Sequence, residues 1–311
     1  MNDKARELVI LDGARTPMAE FCASFSRVSA IELGAHAARA ALARANVAPA
    51  DIDQVFVGNA LQTSPDAIYG ARHVALGAEL PIERPALTVN RLCGSGIQSI
   101  ISAAHSILMG EAATCLAGGM ESMSQAPHCI WGARRGFRLG EGKLEDLLMV
   151  SLYDPYCGCY MAQTSNNLAR DYGITRDDQD RYALSSQQKA AAAYEAGRLG
   201  AETVPVQVGK GRRARLVEAD EHLRPDTTLE GLAKLSTVFG EDSFVTAGNA
   251  SGIVDGAAML VVTTAESAKA RQSQPLGRIL SWSVVGVEPS RMGIGPAPAI
   301  AAALADAGVE Q

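Results

Sequence analysis

The sequence predicts an α/β protein in which βα units build a mixed, mostly parallel sheet covered by helices on both faces. The order of two kinds of segment predicts this class. Short apolar runs rich in β-branched residues alternate with segments whose apolar residues recur at helical spacing, and this alternation continues from the N-terminus to Gly118. Parallel strands need long crossover connections, usually helices, so this order favours a sheet that is buried on both faces.

The first part of the chain supplies these βα units. Ser29, with Glu32 three residues later, forms a capping box at the start of the first predicted helix. The predicted strands are 7–12, 54–58, 85–89 and 114–118, and the predicted helices are 29–45, 67–76 and the segment after Cys93.

The alternation breaks between about residues 122 and 246, which predicts an inserted region. Helices are expected at 161–172 and, capped by Thr175, at 177–196. An exposed strand at 202–208 is expected to pair with 214–217. Strand 258–263 and helix 265–271 then restore the core pattern, and strand 277–286 and helix 297–307 begin a second repeat. The predicted domains are 1–121, 122–246, 247–275 and 276–311.

Composition excludes several functional classes. The 311 residues are 47% hydrophobic with a formal net charge of −6, which argues against a nucleic-acid partner. The one basic run, 210–215, is predicted to be a solvated hairpin rather than a phosphate contact. No apolar run reaches the ~18 residues that span a bilayer, and Met1–Glu7 are polar without a signal-peptide core. A cytoplasmic protein without a membrane segment is therefore expected.

The cysteines predict a reduced protein without a metal. Six cysteines at irregular positions do not form the disulfide framework of a small secreted domain. Cys157-Gly158-Cys159 is too tight for a normal zinc pair, and the chain has no second pair. No bound metal is expected.

Cys93 lies where a reactive thiolate is expected, between strand 85–89, which is predicted to be short and buried, and the start of a helix. A helix N-terminus presents N–H groups and a partial positive charge, which favour thiolate over thiol. Gly94 and Gly96 allow a sharp turn and leave room for a substrate carbonyl. The alternative role is that of a small buried hydrophobic residue, and the local pattern alone leaves both open.

Three motifs resemble the thiolase family, in the family's order and spacing. They are the segment 90–96 around Cys93 (Asn-Arg-Leu-Cys-Gly-Ser-Gly), segment 117–128 and segment 246–258. Segments 64–73, 220–225 and 292–300 are most similar to the mitochondrial type of 3-ketoacyl-CoA thiolase and to bacterial acetyl-CoA acetyltransferases. The resemblance implies a thiolase-like fold of two βα halves with a loop domain inserted in the first, and only the opening of the second half is present here.

The resemblance also implies an activity, acyl-CoA C-acyltransfer through a thioester on Cys93. The reaction would be thiolysis of a 3-ketoacyl-CoA or formation of acetoacetyl-CoA, with coenzyme A as a substrate and no separate cofactor. By this likeness Arg224 and Ser251 contact coenzyme A, and the pantetheine and acyl channel is lined by Leu152, Met161, Phe239, Ala247 and Ile253. Read without the family pattern, Arg224 could be a surface residue paired with Asp220 or Glu221. Ser251 could equally be a turn former.

The resemblance further implies a homodimer or a dimer of dimers, formed through segment 61–76 and the strand that leads to Cys93. Tyr160 stands where acetoacetyl-CoA-forming thiolases usually carry a histidine, so the pattern does not define the acyl-chain length.

The 311 residues lack three motifs of the family's second half: Asn-Glu-Ala-Phe, Gly-His-Pro and Cys-x-Gly-Gly-Gly. None of the histidines at 36, 73, 105, 128 and 222 is a convincing substitute for the Gly-His-Pro base. Positioned acid/base groups contribute about 10²- to 10⁴-fold each, so this chain is expected to be impaired. One alternative is a non-catalytic acyl-CoA-binding or scaffold subunit that pairs with another chain. A ketoacyl-synthase-like condensing enzyme is a further alternative, against which the Cys-Gly-Ser-Gly and Asn-Ala-Ser-Gly motifs argue.

Overall fold

The computed structural model describes residues 7–240 and 242–310. In chain order its strands are β1 Leu8–Arg15, β2 Ala19–Glu20, β3 Gln54–Gly58, β4 Ala86–Val89, β5 Thr114–Glu121, β6 His128–Ile130, β7 Leu144–Asp146, β8 Tyr153–Asp154, β9 Cys159–Tyr160, β10 Val206–Val208, β11 Arg215–Val217, β12 Val254–Thr264 and β13 Gly277–Arg278. The α-helices are α1 Ala30–Arg44, α2 Gly70–Gly77, α3 Ser95–Met109, α4 Leu147–Ser151, α5 Met161–Tyr172, α6 Arg176–Glu195, α7 Arg198–Glu202, α8 Leu229–Ala233, α9 Ala265–Ala270 and α10 Pro296–Ala307.

The chain forms two compact units. The first contains the chain up to Gln125 together with Gly197–His222 and Ile253–Leu280. The second contains Ala126–Ala196, Leu223–Gly252 and the chain from Ser281 onward. The domain boundaries predicted from the sequence remain a prediction.

The first unit is built on a sheet with the strand order β13-β1-β12-β5-β3-β4. β3 pairs in parallel with both β4 and β5, whereas β12 pairs antiparallel with both β1 and β5. Strands β1, β3, β4 and β5 therefore run in one direction and β12 runs in the other. The predicted mixed α/β sheet is confirmed.

The antiparallel β12 was not foreseen from the sequence, and the path of the chain explains it. The chain leaves the sheet at the end of β5, Glu121, and returns at Val254, where Gly256 pairs with Glu121. Departure and return thus occur at the same end of the sheet. A strand that enters at the end where its neighbour stops must run antiparallel to that neighbour.

Helices cover both faces of this sheet. Gly119 of β5 faces α3, since a Cβ placed on Gly119 would lie 3.5 Å from Gly96 Cα. The next residue of β5, Met120, faces α1, since a Cβ placed on Gly34 of α1 would lie 3.0 Å from Met120 Sδ. Because successive residues of a strand point to opposite faces, α3 and α1 lie on opposite sides of the sheet. The predicted capping box of α1 is present, with Ser29 and Glu32 each bonded to the other's backbone N–H.

Residues 197–222 belong to the first unit although they lie within the predicted inserted region. Val206, Val208 and Val217 of the β10–β11 hairpin are buried in the same hydrophobic cluster as the core strands. Arg15 of β1 donates to Asp220 Oδ1 and Oδ2 at 2.7 and 3.0 Å. The predicted pairing is thus present, but β10 is shorter than the predicted strand 202–208, since Glu202 ends α7, and its valines are buried where the sequence predicts an exposed strand. The basic run forms the exposed turn of the hairpin.

The second unit consists of helices and short hairpins. Thr175 caps α6 as predicted, through a capping box with Asp178. Asn166 of α5 accepts the backbone N–H of Phe244 at 3.0 Å, and Asn249 donates to the buried Asp180 of α6 at 3.0 Å. These bonds tie the long helices to the segment that precedes β12.

Three expectations from the sequence are wrong. The predicted strand 277–286 ends at Arg278, because it runs antiparallel to β1 and passes the start of β1 there. Strand 85–89 was expected to be buried, but β4 is the last strand of the sheet, and Leu87 is 51% exposed. The third concerns the expectation that no apolar run is long enough to span a bilayer, because segment Leu92–Met109 is, by length and hydropathy alone, apolar enough to do so. The segment contains α3, which packs on β3 and β5 as the core helix of an α/β fold.

We expect Gly58→Ala to destabilise the protein by about 1–3 kcal/mol, because the new methyl group would lie 2.5 Å from the backbone of Ser95. Gly119→Ala, on the neighbouring strand and the same face, is the matched control and should change the free energy of unfolding by less than about 1 kcal/mol. Urea unfolding followed by circular dichroism measures both. Equal stabilities for the two variants would contradict the packing described here.

Candidate active site

Cys93 lies in the tight turn between β4 and α3, as the sequence predicts, and it is exposed. The turn is closed by backbone bonds from Gly94 N to Arg91 O and from Ser95 N to Leu92 O, both 3.0 Å. The first helical bond of α3 runs from Gln98 N to Gly94 O. Ser95 N is thus already bonded within the turn, and the N–H groups that follow it in the first turn of α3 precede this ladder, at the end of a helix that can bind an anion. The exposure of Cys93 argues against the role of a buried hydrophobic residue.

The residue before the nucleophile candidate has an unusual backbone conformation. Leu92 has a φ of +48°, a region that residues with a Cβ rarely adopt. Asn90 stabilises it, since its Oδ1 accepts the Leu92 N–H at 2.9 Å while its Nδ2 donates to Ala60 O at 3.0 Å. Strain of this kind is common at functional sites. Asn90 therefore positions the turn that presents Cys93.

Three polar residues stand at the carboxyl ends of three adjacent strands: Asn59 after β3, Asn90 after β4 and Glu121 at the end of β5. The carboxylate of Glu121 accepts the Ala60 N–H at 2.9 Å and the Leu61 N–H at 3.2 Å, and it also accepts from the Asn59 side chain. The same loop offers Ala60 O to Asn90. A continuous set of hydrogen bonds thus links β5 to the Cys93 turn.

Burial raises the pKa of Glu121 above its ordinary value, and the hydrogen bonds from Leu61, Ala60 and Asn59 act in the opposite direction. Desolvation of a carboxylate is unfavourable unless donors surround it. Glu121 is therefore held in place by its donors, and its function in this arrangement is to orient the loop 59–61.

Sequence reasoning missed these residues, although a signal was present. Asn59 and Asn90 directly follow the predicted strands 54–58 and 85–89, and Glu121 stands three residues after the predicted strand 114–118. In parallel sheets, ligands bind at the carboxyl ends of the strands. Asn59 and Asn90 were interpretable as members of one site only once the order β4-β3-β5 was known.

The residues assigned to coenzyme A and the acyl channel divide between the two units. Ile253 belongs to the first unit and is half-buried. The others lie in the second unit, where Leu152, Met161 and Phe239 are half-buried and Arg224, Ala247 and Ser251 are exposed.

Within the second unit several of these residues come together. Met161 N donates to Leu152 O at 2.9 Å, so these two channel candidates are neighbours. The ring of Tyr160 stacks on Phe239 with a centroid separation of 5.7 Å. The Arg224 backbone N–H is held by Gln187 Oε1 at 2.9 Å, which anchors the segment that carries its guanidinium.

His36, His73 and His222 each bond to a group of the first unit. His36 bonds to Pro205 O at 2.8 Å, His73 to Asp66 at 3.0 Å and His222 to Glu20 at 3.3 Å. The contact with His73 lowers the pKa of Asp66. Among the residues that the structure describes, no cluster of three His, Cys, Asp or Glu side chains could hold a metal ion.

Comparisons with known proteins give consistent results. A sequence model of the thiolase N-terminal domain matches residues 8–266. The chain is 46% identical to human mitochondrial 3-ketoacyl-CoA thiolase over 305 residues, which cover 98% of this chain and 77% of that protein. It is 42% identical to the acetyl-CoA acetyltransferase of Cupriavidus necator, covering 97% of this chain and 77% of that protein.

Solved structures agree. The human mitochondrial 3-ketoacyl-CoA thiolase in complex with CoA matches with a TM-score of 0.95 at 46% identity, covering 98% of this chain and 76% of that one. The acetyl-CoA acetyltransferase of Bacillus anthracis matches with a TM-score of 0.95 at 38% identity, covering 99% and 78%.

Brief treatment of the folded protein with substoichiometric iodoacetamide should label Cys93 before the other cysteines, because Cys93 is exposed at a helix start. Cys115 is the internal control. It is fully buried, and burial with the nearby Asp53 raises its pKa to about 12, so it should stay unlabelled until the protein unfolds. Peptide mass mapping gives the order in which the cysteines are labelled. Preferential labelling of Cys22 or Cys129, with Cys93 untouched, would remove Cys93 as the nucleophile.

Proposed function

The chain belongs to the thiolase family, and we propose that it transfers acyl groups between coenzyme A thioesters with Cys93 as the acyl acceptor. The human and bacterial relatives are a 3-ketoacyl-CoA thiolase and acetyl-CoA acetyltransferases. Acyl-CoA C-acyltransfer is therefore the activity class. The proposed substrates are a 3-ketoacyl-CoA with coenzyme A in thiolysis, or acyl-CoA molecules in the reverse direction.

The observation that carries the proposal is the exposed thiol of Cys93 at the start of a fifteen-residue helix. Nucleophilic transfer needs a thiolate next to donors that can hold a negative oxygen. The first turn of α3 supplies backbone N–H groups and the positive end of the helix dipole.

In the direction that joins two acyl-CoA molecules, the first half-reaction follows from this arrangement. The Cys93 thiolate attacks the carbonyl carbon of the acyl-CoA, and negative charge develops on the carbonyl oxygen near the start of α3. The carbon–sulfur bond to coenzyme A then breaks, coenzyme A leaves as a thiolate that takes up a proton, and the acyl group stays on Cys93 as a thioester.

Coenzyme A is proposed to enter as a substrate, contacted by Arg224 and Ser251, with no separate cofactor. The planar guanidinium of Arg224 suits a phosphate group. The neighbouring residues Leu152 and Met161, together with Phe239 and its stacked partner Tyr160, form apolar surface suited to a pantetheine arm. Ala247 of the second unit and Ile253 of the first are the remaining residues that the family resemblance assigns to the channel. A cytoplasmic location remains a prediction of the sequence.

The proposed acyl transfer is tested by the release of free coenzyme A from acetyl-CoA, followed with a thiol reagent that is added after the protein is removed. We expect one equivalent of coenzyme A to be released per folded chain. Cys93→Ser should abolish this release, whereas Cys22→Ser, which removes another exposed cysteine, should leave it unchanged. Release that persists in Cys93→Ser would overturn the proposal.

Arg224→Ala should weaken coenzyme A binding by about tenfold, the loss of one charge-assisted contact to a phosphate. Arg212→Ala removes the same charge from the exposed basic turn and is the matched control. Isothermal titration calorimetry with coenzyme A compares the two variants. Equal affinities would place the phosphate contact elsewhere.

A homodimer, or a dimer of dimers, is proposed through the edge of the first-unit sheet. β4 is the last strand of that sheet, and Leu87, Ile97 and Met109 expose 51%, 68% and 76% of their surface nearby. An exposed apolar edge strand favours pairing with a second copy. Leu87→Lys should yield monomers in light scattering at micromolar concentration, whereas Leu216→Lys, at a residue 53% exposed on β11, should not. A monomeric wild-type protein would refute the proposal.

A further inference from the structure

The second unit carries a pair of cysteines that the proposed acyl transfer does not use. Cys157 and Cys159 flank Gly158 in the β8–β9 hairpin, whose strands pair Tyr153 with Tyr160 and Asp154 with Cys159. Gly158 has a φ of +67°, a left-handed conformation that folds the chain back on itself. Both thiols are therefore held on one tight turn.

The two side chains share their surroundings. Cys157 Sγ lies 3.5 Å from Asp154 Oδ2, and Cys159 Sγ lies 3.5 Å from Cys157 O. Partial burial and the hydrogen bond to Asp154 raise the pKa of Cys157, and contact with the Cys159 thiol acts in the same direction. Both thiols thus contact polar groups of the same turn.

The turn is open to small molecules. Tyr156, the residue before the pair, is 86% exposed, and Cys157 and Cys159 are half-buried rather than enclosed. The surroundings include a carboxylate and backbone carbonyls, which do not suit the role of a plain hydrophobic cysteine. The spacing is also too tight for a normal zinc pair.

We propose that Cys157 and Cys159 form a reversible disulfide by exchange with a small-molecule disulfide such as oxidised glutathione. One protein thiolate attacks a sulfur of the oxidant, which forms a mixed disulfide and releases one molecule of thiol. The second protein thiolate attacks the protein sulfur of the mixed disulfide, closes the ring and releases the second thiol. The two cysteines are oxidised, the small disulfide is reduced, and the two protons end on the released thiols.

The ring explains why the bond is reversible. Cysteines two residues apart close a small ring, which restricts the torsion angles that a disulfide prefers. Strained and accessible disulfides have more oxidising potentials and are the labile ones. The pair therefore opens again when reduced glutathione is in excess.

Closure of the ring acts on the residues that follow it, a consequence that rests on the proposed function. Tyr160, next to Cys159, packs on Tyr153 at 5.0 Å and on Phe239 at 5.7 Å between ring centroids. Met161 follows and bonds to Leu152 O. Oxidation at the turn thus changes the geometry of the apolar surface proposed for the pantetheine arm.

The full chain is first reduced and then equilibrated in glutathione buffers of increasing oxidised fraction. Acid quenching, alkylation with N-ethylmaleimide and digestion with trypsin release peptide 144–170, which contains both cysteines of the pair. The expected product is this peptide two hydrogen atoms lighter, without alkyl groups, and restored by excess reduced glutathione. Cys157→Ser and Cys159→Ser should instead carry one mixed disulfide or one alkyl group.

A wild-type peptide that carries two alkyl groups, or two glutathione adducts, at every buffer ratio would overturn the proposal. Asp154→Asn provides a second measurement. Ring closure should become several-fold faster in this variant, because the carboxylate beside Cys157 no longer disfavours its thiolate. If a cysteine variant does not fold, the mass of the wild-type peptide still shows whether the disulfide forms.

The link to the acyl channel is tested in a Cys93→Ser background, which separates the hairpin from the nucleophile. Coenzyme A should bind the oxidised form about threefold or more weakly than the reduced form. Equal affinities with the disulfide formed would refute the link and leave the redox site standing. Failure of both forms to bind coenzyme A would refute the proposed function, again without affecting the redox site.

Discussion

The proposed site depends on the close approach of α3 to the sheet at Gly58. A Cβ at this position would lie within 2.5–2.8 Å of the Ser95 and Gly96 backbone, and its register partner Gly119 faces the same helix start. Two adjacent strands thus carry glycine where the helix begins. This approach brings the first turn of α3, and with it the exposed Cys93, against the carboxyl ends of β3, β4 and β5.

The polar residues at these strand ends complete the arrangement. Glu121 is partly desolvated, which is unfavourable for a carboxylate, and the donors of loop 59–61 offset this cost. The same loop bonds to Asn90, which holds Leu92 in its left-handed conformation. The nucleophile candidate is therefore positioned by backbone and side-chain groups of neighbouring strands, none of which needs to contact the substrate.

Local features of the fold were predictable from the sequence. The bounds of β3 and α5, the capping box at Ser29 and the cap at Thr175 follow from short-range patterns. The motif around Cys93 indicated both the turn and the family. Features that depend on distant partners were not predictable. The direction of β12, the edge position of β4 and the bonds from Glu121 to loop 59–61 all depend on which strands become neighbours.

The most direct test of this account is the rate at which acetyl-CoA acetylates Cys93 in Gly58→Ala and Gly119→Ala, measured by peptide mass mapping where circular dichroism shows that both variants are folded. If the approach of α3 to β3 positions the nucleophile, Gly58→Ala should be acetylated at least about tenfold more slowly than wild type, a loss of roughly 1.4 kcal/mol in the barrier. Gly119→Ala should react at the wild-type rate. Acetylation of Cys93 at equal rates in both folded variants would contradict the account.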